Sequence, residues 1–263
     1  MSLFVEQIGR SGLDTLRSLG QYGLLLLRAA REATHPPFYP RLIVEQVYQI
    51  GVRSLDLVLI TALATGMVMS LQFGLGLEKF GGKPYVPKII SLSILRELGP
   101  VFTSLMLAAR VGAGIASELG AMVVSQQVDA IRALGTSPLK RLVIPRILGS
   151  LIAIPTLAVL ANLIGLTGAG LVGVFELDLE FSFFYLKVVE TVSLADLMTG
   201  LAKTVIFAFC ISSVACFYGL NVGPGTAGVG QATTRAVVTS MVLILVTNFF
   251  LTKLLFYLFL GPG

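Results

Sequence analysis

Tryptophan is absent from this 263-residue chain, histidine occurs once and cysteine twice. The lone histidine, His35, sits in a His-Pro-Pro turn, so a metal cluster is not expected. Cys210 and Cys216 lie six residues apart in one apolar stretch, on different sides of a helix. They read as small core residues rather than as a disulfide or a metal pair. Charge is also scarce: 13% of the residues are charged, against about 25% in a soluble globular chain. No G-x-x-x-x-G-K-[ST] pattern occurs, and Gly81-Gly82-Lys83-Pro84 lacks both the leading glycine and the hydroxyl residue. The chain is therefore not expected to hydrolyse ATP itself. Serine-histidine-acid sets, metal-ligand spacings and activated nucleophiles are missing too, so neither an intrinsic enzyme nor a cofactor is expected.

What is present is apolar surface. Hydrophobic residues make up 55% of the chain, and the mean hydropathy is +0.89. Five stretches reach spanning length, at about 55–77, 89–117, 142–175, 197–220 and 237–260. No segment alternates apolar and polar residues over about ten positions, which disfavours a membrane β-barrel. The expectation is an all-α membrane protein with five transmembrane helices. An acidic loop over 176–196 and a glycine-rich loop over 221–235 are expected to separate the later spans.

Residues 1–40 read as a separate amphipathic segment. Leu3, Val5, Ile8, Leu13, Leu16 and Leu19 are interrupted by Arg10, Arg17, Arg28 and Arg31. Glu6 and Asp14, with no small-residue cleavage site, argue against a secretory signal. Such a helix can lie in the headgroup region or pack on the protein's own cytoplasmic face. The net charge of +5 fits cytoplasmic loops better than nucleic-acid binding. With the N-terminus inside, Arg10, Arg17, Arg28, Arg31, Arg41, Arg53, Arg132, Lys140, Arg141, Arg146 and Arg235 fall on cytoplasmic segments. The outer loops then hold only Lys79, Lys83, Lys88 and Lys187.

Charges inside the spans carry the most information. In Ser93-Ile94-Leu95-Arg96-Glu97-Leu98-Gly99-Pro100, two charges precede a Gly-Pro pair that disfavours a straight helix. Charges at such depth face a cavity or a partner. Two readings stand side by side: a break lining a headgroup-sized site, or a structural ion pair with another span. Arg96 and Glu97 point about 100° apart, so they need not pair with each other. Arg110 and Glu118 read as structural groups near the inner interface, Lys203 and Lys253 as snorkelling cations, and Asn162 as an interhelical hydrogen-bonding residue. Small residues recur at every fourth position, in the rows Ala108, Gly112, Ala116, Gly120 and Ala109, Ala113, Ser117, Ala121, and again at Gly165, Ala169 and Gly173. Such rows serve internal packing or a homodimer contact. Met69, Phe73 and Leu77 share one face of the first span, suited to acyl chains or to dimer packing. Between the second and third spans, Val124, Val128 and Ile131 share one helical face, with Gln126, Gln127, Asp129 and Arg132 around it. Gly135 and Pro138 end this short helix. It can bind a cytosolic partner or lie on the membrane.

Leu95-Arg96-Glu97-Leu98-Gly99-Pro100 resembles the MlaE permease family. The resemblance continues through Ala109-Arg110-Val111-Gly112, residues 116–122, Gln127-Val128-Asp129-Ala130, residues 134–138, Ile144-Pro145-Arg146 and residues 232–238. It covers most of the chain from about residue 40, which makes 41–263 an MlaE-like permease domain. The resemblance implies the membrane subunit of an ABC-type transporter moving lipids, typically phospholipids, between the inner and outer membranes of a diderm bacterium. It further implies an inner-membrane homodimer, a separate cytosolic ABC ATPase and an MCE-domain protein on the outer side. Arg96, Glu97, Leu98, Met69, Phe73 and Leu77 become lipid-binding candidates. Gln126, Gln127, Val128, Asp129, Ile131, Arg132, Leu134 and Gly135 become the helix that couples to the ATPase. The family usually has Glu-Gln where this chain has Gln126-Gln127, so one ionic contact to the ATPase is altered. The competing expectation is a non-transporting scaffold that anchors an MCE complex.

Overall fold

The computed structural model describes residues 2–259, and side chains from residue 16 onward apart from 256 and 259. Leu3, Val5, Ile8 and Leu13 of the amphipathic pattern, and the end of the fifth span at Leu260, lie outside the described side chains or residues. Helices α1 (Ser2–Ala33) and α2 (Pro40–Gly51) come first, followed by α3 (Leu55–Glu78). The next span is α4 (Val86–Ser93), α5 (Gly99–Leu107) and α6 (Ala113–Val124), joined by two π-helical turns, Ile94–Leu98 and Ala108–Gly112. A short α7 (Gln127–Ala133) leads through a third π turn, Leu139–Val143, into α8 (Ile144–Phe175). Then come α9 (Phe181–Thr191), α10 (Leu194–Leu220) and α11 (Gly225–Phe259).

Among the described residues, five helical units are long and apolar enough to span: Pro40–Glu78, Lys83–Val124, Leu139–Phe175, Leu194–Leu220 and Gly225–Leu255. The protein is thus an all-α, multi-pass membrane protein. Two loop expectations need correction. Residues 176–196 hold α9, because Phe184 and Val188 give that stretch an apolar face that seats Phe184 over Gly170 and Gly173 of α8. The glycine-rich 221–235 segment is mostly the first turns of α11, which start at Gly225. Its small residues let α11 pack closely: Gly228 lies against the backbone of Gly223, and Val229 lies against Gly120.

The central element is α10, most of which is buried; it packs on α5, α6, α8 and α11. The most extensive pair is α3 with α8. It depends on a close crossing, since a Cβ on Gly66 would occupy the position of the Gly165 carbonyl. This matches the use of small residues where helices in lipid must touch through packing alone. The two adjacent small-residue rows of the second span divide the work. Ala108, Gly112, Ala116 and Gly120 are buried within the chain, whereas Ala109 and Ala121 are exposed and Ala113 and Ser117 half-buried.

The described half of α1 is attached to the bundle. Tyr22 Oη lies 2.7 Å from Ser213 Oγ on α10. Its ring meets Phe217 edge-on at 5.6 Å. Nearer the C-terminal end, Ser137 donates to Glu32, and Lys140 Nζ donates to the carbonyls of His35 and Pro36 at 3.1 and 2.8 Å. Leu16, Leu19, Leu24 and Leu27 stay exposed. The segment therefore packs on its own protein while keeping an apolar outer face.

Candidate functional site

The Gly99-Pro100 pair does not break the second span. The helix runs on through the π turn Ile94–Leu98, in which Gly99 N–H reaches the Ile94 carbonyl. Pro100 has no N–H to offer the Arg96 carbonyl four residues back. Lys203 Nζ of α10 donates to that carbonyl at 3.0 Å instead. The wide turn and the missing donor thus create a polar opening inside an apolar helix. Such π turns recur at functional sites.

The two adjacent charges point to different partners. Arg96 donates from Nε to Asp196 Oδ1 at 2.6 Å, and Nη2 lies 2.5 Å from the same oxygen. Asp196 Oδ2 accepts from Ser193 N–H at 2.9 Å and Ser193 Oγ at 2.7 Å, within a capping box that starts α10. Glu97 Oε1 accepts from Lys203 Nζ at 2.6 Å and from Thr252 Oγ1 at 3.0 Å. Glu97 Oε2 accepts from Asn248 Nδ2 at 3.1 Å. Lys203 Nζ also donates to Thr252 Oγ1 at 2.8 Å, so all three of its N–H bonds are used. Three spans meet here. The site lies at the end of the bundle where the second and fourth spans begin and the fifth ends.

Lys203 does not snorkel, contrary to the sequence expectation. Its side chain is 2% exposed, because α10 is the central helix and the carboxylate it needs lies inside. Gly200, one turn earlier, permits this approach, since a Cβ there would run into the Leu95 carbonyl. Asn162 likewise departs from expectation: its Oδ1 is buried over Gly99 and has no hydrogen-bond donor. Arg96 and Glu97 remain about one-third open, at 29% and 36%. They line a cavity of about 280 Å³ with Leu92, Ser93, Thr199, Lys203, Thr252 and Leu255. The site is therefore both an ion-pair network and the wall of a polar cavity with apolar flanks.

The other candidates lie around it. Leu98 faces a second cavity of about 180 Å³ on the far side of the π turn, shared with Thr61, Thr65, Phe102 and Met106. Phe73 and Leu77 pack on Val86, Ile90, Ile94, Ala169, Leu177 and Phe184. Met69 is half-buried on the same helix. None of these three lines the charged cavity. Asp196, Lys203, Asn248 and Thr252 were not singled out as site residues by the sequence. Asp196, Thr199, Gly200 and Lys203 follow helical i, i+3, i+4, i+7 spacing. An acid and a base two turns apart, complementary to adjacent Arg96 and Glu97, are the signal that identifies them.

At the other end of the second span, Glu118 pairs with Arg146 of α8 at 2.9 Å, and Arg146 is buried. Arg110 is exposed in the second π turn. The Glu118–Arg146 link brackets α7. Gln126 precedes that helix with φ 59°, and Gly135 follows it with φ 74°. Val128 is buried and Ile131 half-buried, while Gln126, Gln127, Asp129, Arg132, Leu134 and Gly135 are exposed. Asp129 and Arg132 pair at 3.0 Å on the surface. Leu134 is 79% exposed, an apolar side chain offered outward.

The family described as Permease MlaE matches residues 43–254. A probable ABC transporter permease protein of Rickettsia bellii is 39% identical over 251 residues, covering 95% of this chain and 97% of the relative. The intermembrane phospholipid transport system permease protein MlaE of Haemophilus influenzae is 34% identical over 254 residues, covering 96% and 97%.

Proposed function

Since the chain belongs to the MlaE permease family, we propose that it is the membrane subunit of an ABC-type transporter that moves phospholipid between the inner and outer membranes. The observation that carries this reading is the charged cavity at the π turn. Burying four charged groups among apolar spans is costly. Each carries protein partners, yet Arg96 and Glu97 keep part of their surface open to a space with apolar walls. A phospholipid supplies the complementary chemistry: a phosphate for Arg96, an ammonium or hydroxyl for Glu97, and acyl chains for the flanking leucines.

The outer half of the bundle is assigned to this site by the charge distribution of the loops. A second copy completes the chamber, with the outer row Ala109, Ala113, Ser117, Ala121, exposed at its ends and half-buried between, and the exposed face of α11 (Val238, Val242, Leu245, Phe249) as its contact. A separate ABC ATPase supplies energy by docking on α7, where Leu134 and the exposed polar residues meet it. An MCE-domain protein on the outer side receives or delivers the lipid. The Glu118–Arg146 pair transmits movement of α7 to α6 and α8.

Reconstitution of the chain with its ATPase in phospholipid vesicles tests this reading. Lipid-stimulated ATP hydrolysis and lipid transfer are expected, and both fall at least tenfold in Arg96→Gln. A chain that anchors the MCE protein but leaves hydrolysis indifferent to lipid and to Arg96 is a scaffold.

A further inference from the structure

Three cavities meet where α1 runs over the start of α8, far in sequence from the π-turn site. The first is lined by Arg28, Arg31, Glu32, His35 and Lys140 and holds about 360 Å³. The second, about 290 Å³, is almost wholly apolar, bounded by Leu26, Ala30, Ala33, Ile147, Leu148 and Phe209 among others. A narrow third cavity of about 50 Å³ shares Glu32 and Lys140 with the first, and Ala33, Ile144 and Leu148 with the second. The small third cavity borders both, so a basic mouth and an apolar cleft share walls at Glu32, Lys140, Ala33, Ile144 and Leu148 around the end of α1.

The charge of the mouth is unbalanced. Among the described residues, Arg28 and Arg31 have no acidic partner. Glu32 already accepts from Ser137. Past the end of α1, two carbonyls that would repel an anion already accept bonds: Arg31 O from Thr34 Oγ1 at 2.8 Å, and His35 O from Lys140 Nζ at 3.1 Å. Unspent guanidinium groups beside a dry apolar cleft match an anionic headgroup joined to an acyl chain.

We propose that this slot holds an anionic phospholipid of the cytoplasmic leaflet, its phosphate on Arg28 and Arg31 and one acyl chain between α1 and α8. This lipid is a resident that fastens α1 to the bundle, separate from the cargo of the π-turn cavity. The assignment depends on the chain spanning a membrane with α1 on the cytoplasmic side, and not on the transport reading. The apolar cleft selects a lipid over a free phosphate, which has no use for it.

Native mass spectrometry of the full-length, delipidated protein titrated with phosphatidylglycerol or phosphatidylcholine tests the proposal. One phosphatidylglycerol per chain is expected to bind in preference to phosphatidylcholine. Arg28→Gln with Arg31→Gln weakens it roughly 25-fold, from about a factor of five for each cation. Ala33→Phe, which plugs the cleft and leaves the charges, weakens it as well. Arg53→Gln, an exposed cation outside the slot, leaves binding unchanged. Thermal unfolding of each variant in phosphatidylcholine alone separates a folding defect from lost binding. If the double variant fails to fold, Ala33→Phe decides. Equal phosphatidylglycerol binding in the wild type and in the folded slot variants overturns the proposal. So does displacement of the lipid by millimolar inorganic phosphate, which would mark a site for the free anion.

Discussion

At the scale of single residues, Lys203 holds the π-turn site together. Its ammonium satisfies the Arg96 carbonyl left by Pro100, one Glu97 oxygen and Thr252. Lys203→Met therefore strands a carboxylate and a carbonyl. Removing one partner of a buried pair costs about 3–5 kcal/mol, and the lower end applies because Glu97 is one-third exposed and can rehydrate. Adding Glu97→Gln to Lys203→Met should recover part of that loss. A double-mutant cycle by thermal unfolding in detergent checks this, and strictly additive losses would contradict the pairing. Sequence made Arg96 and Glu97 legible because charges in an apolar run stand out. It did not separate a snorkelling lysine from a buried one, since that difference depends on which helix is central. It also gave Asn162 a donor that the fold does not provide.

At the scale of elements, α10 is positioned by its first turn and by one glycine. Ser193 caps the helix and holds Asp196 in place for Arg96. Ser193→Ala is expected to cost about 1 kcal/mol as a lost cap, with a further loss as Asp196 is freed. The control is Ser182→Ala, whose hydroxyl bonds only Glu180 on the surface of α9 at 2.5 Å and which should leave the melting temperature unchanged. Gly200→Val should be worse, because its side chain meets the Leu95 carbonyl and pushes α10 off the π turn. Its expected signature is loss of monodisperse protein on size exclusion; an unaltered elution profile would contradict the close approach. Helical periodicity marked the five spans, because each apolar run exceeds what a bilayer requires. It missed α9 and the start of α11. Both are short or glycine-rich segments whose helicity is decided by packing, at Phe184 on Gly170 and Gly173 and at Val229 on Gly120. The π turns were not legible either: Gly-Pro signals a disrupted ladder but not whether the helix breaks or widens.

At the scale of the whole molecule, the loop-charge bias, on the proposed reading, puts the charged cavity at the outer end of the bundle and α7 at the inner end. Cysteines placed at Phe80 and Leu134, both strongly exposed, test this in a background lacking Cys210 and Cys216. An impermeant maleimide added to whole cells should label position 80 once the outer membrane is opened. Position 134 should react only after the inner membrane is lysed. The reverse pattern would invert the bundle. The two ends of the second span differ in kind: its start carries the charged cavity, and its finish is tied to α8 by Glu118–Arg146 just before the chain enters α7.

The central claim is that the cavity at Arg96 and Glu97 receives a phospholipid. A photo-crosslinking amino acid at Leu92, on the wall of that cavity, tests it most directly in cells with radiolabelled phosphate. The account predicts a labelled phospholipid adduct at Leu92 that disappears in Arg96→Gln, while the same probe at Leu163, on the exposed face of α8, is indifferent to that substitution. An adduct at Leu92 that is absent in the wild type, or unchanged by Arg96→Gln, would contradict it.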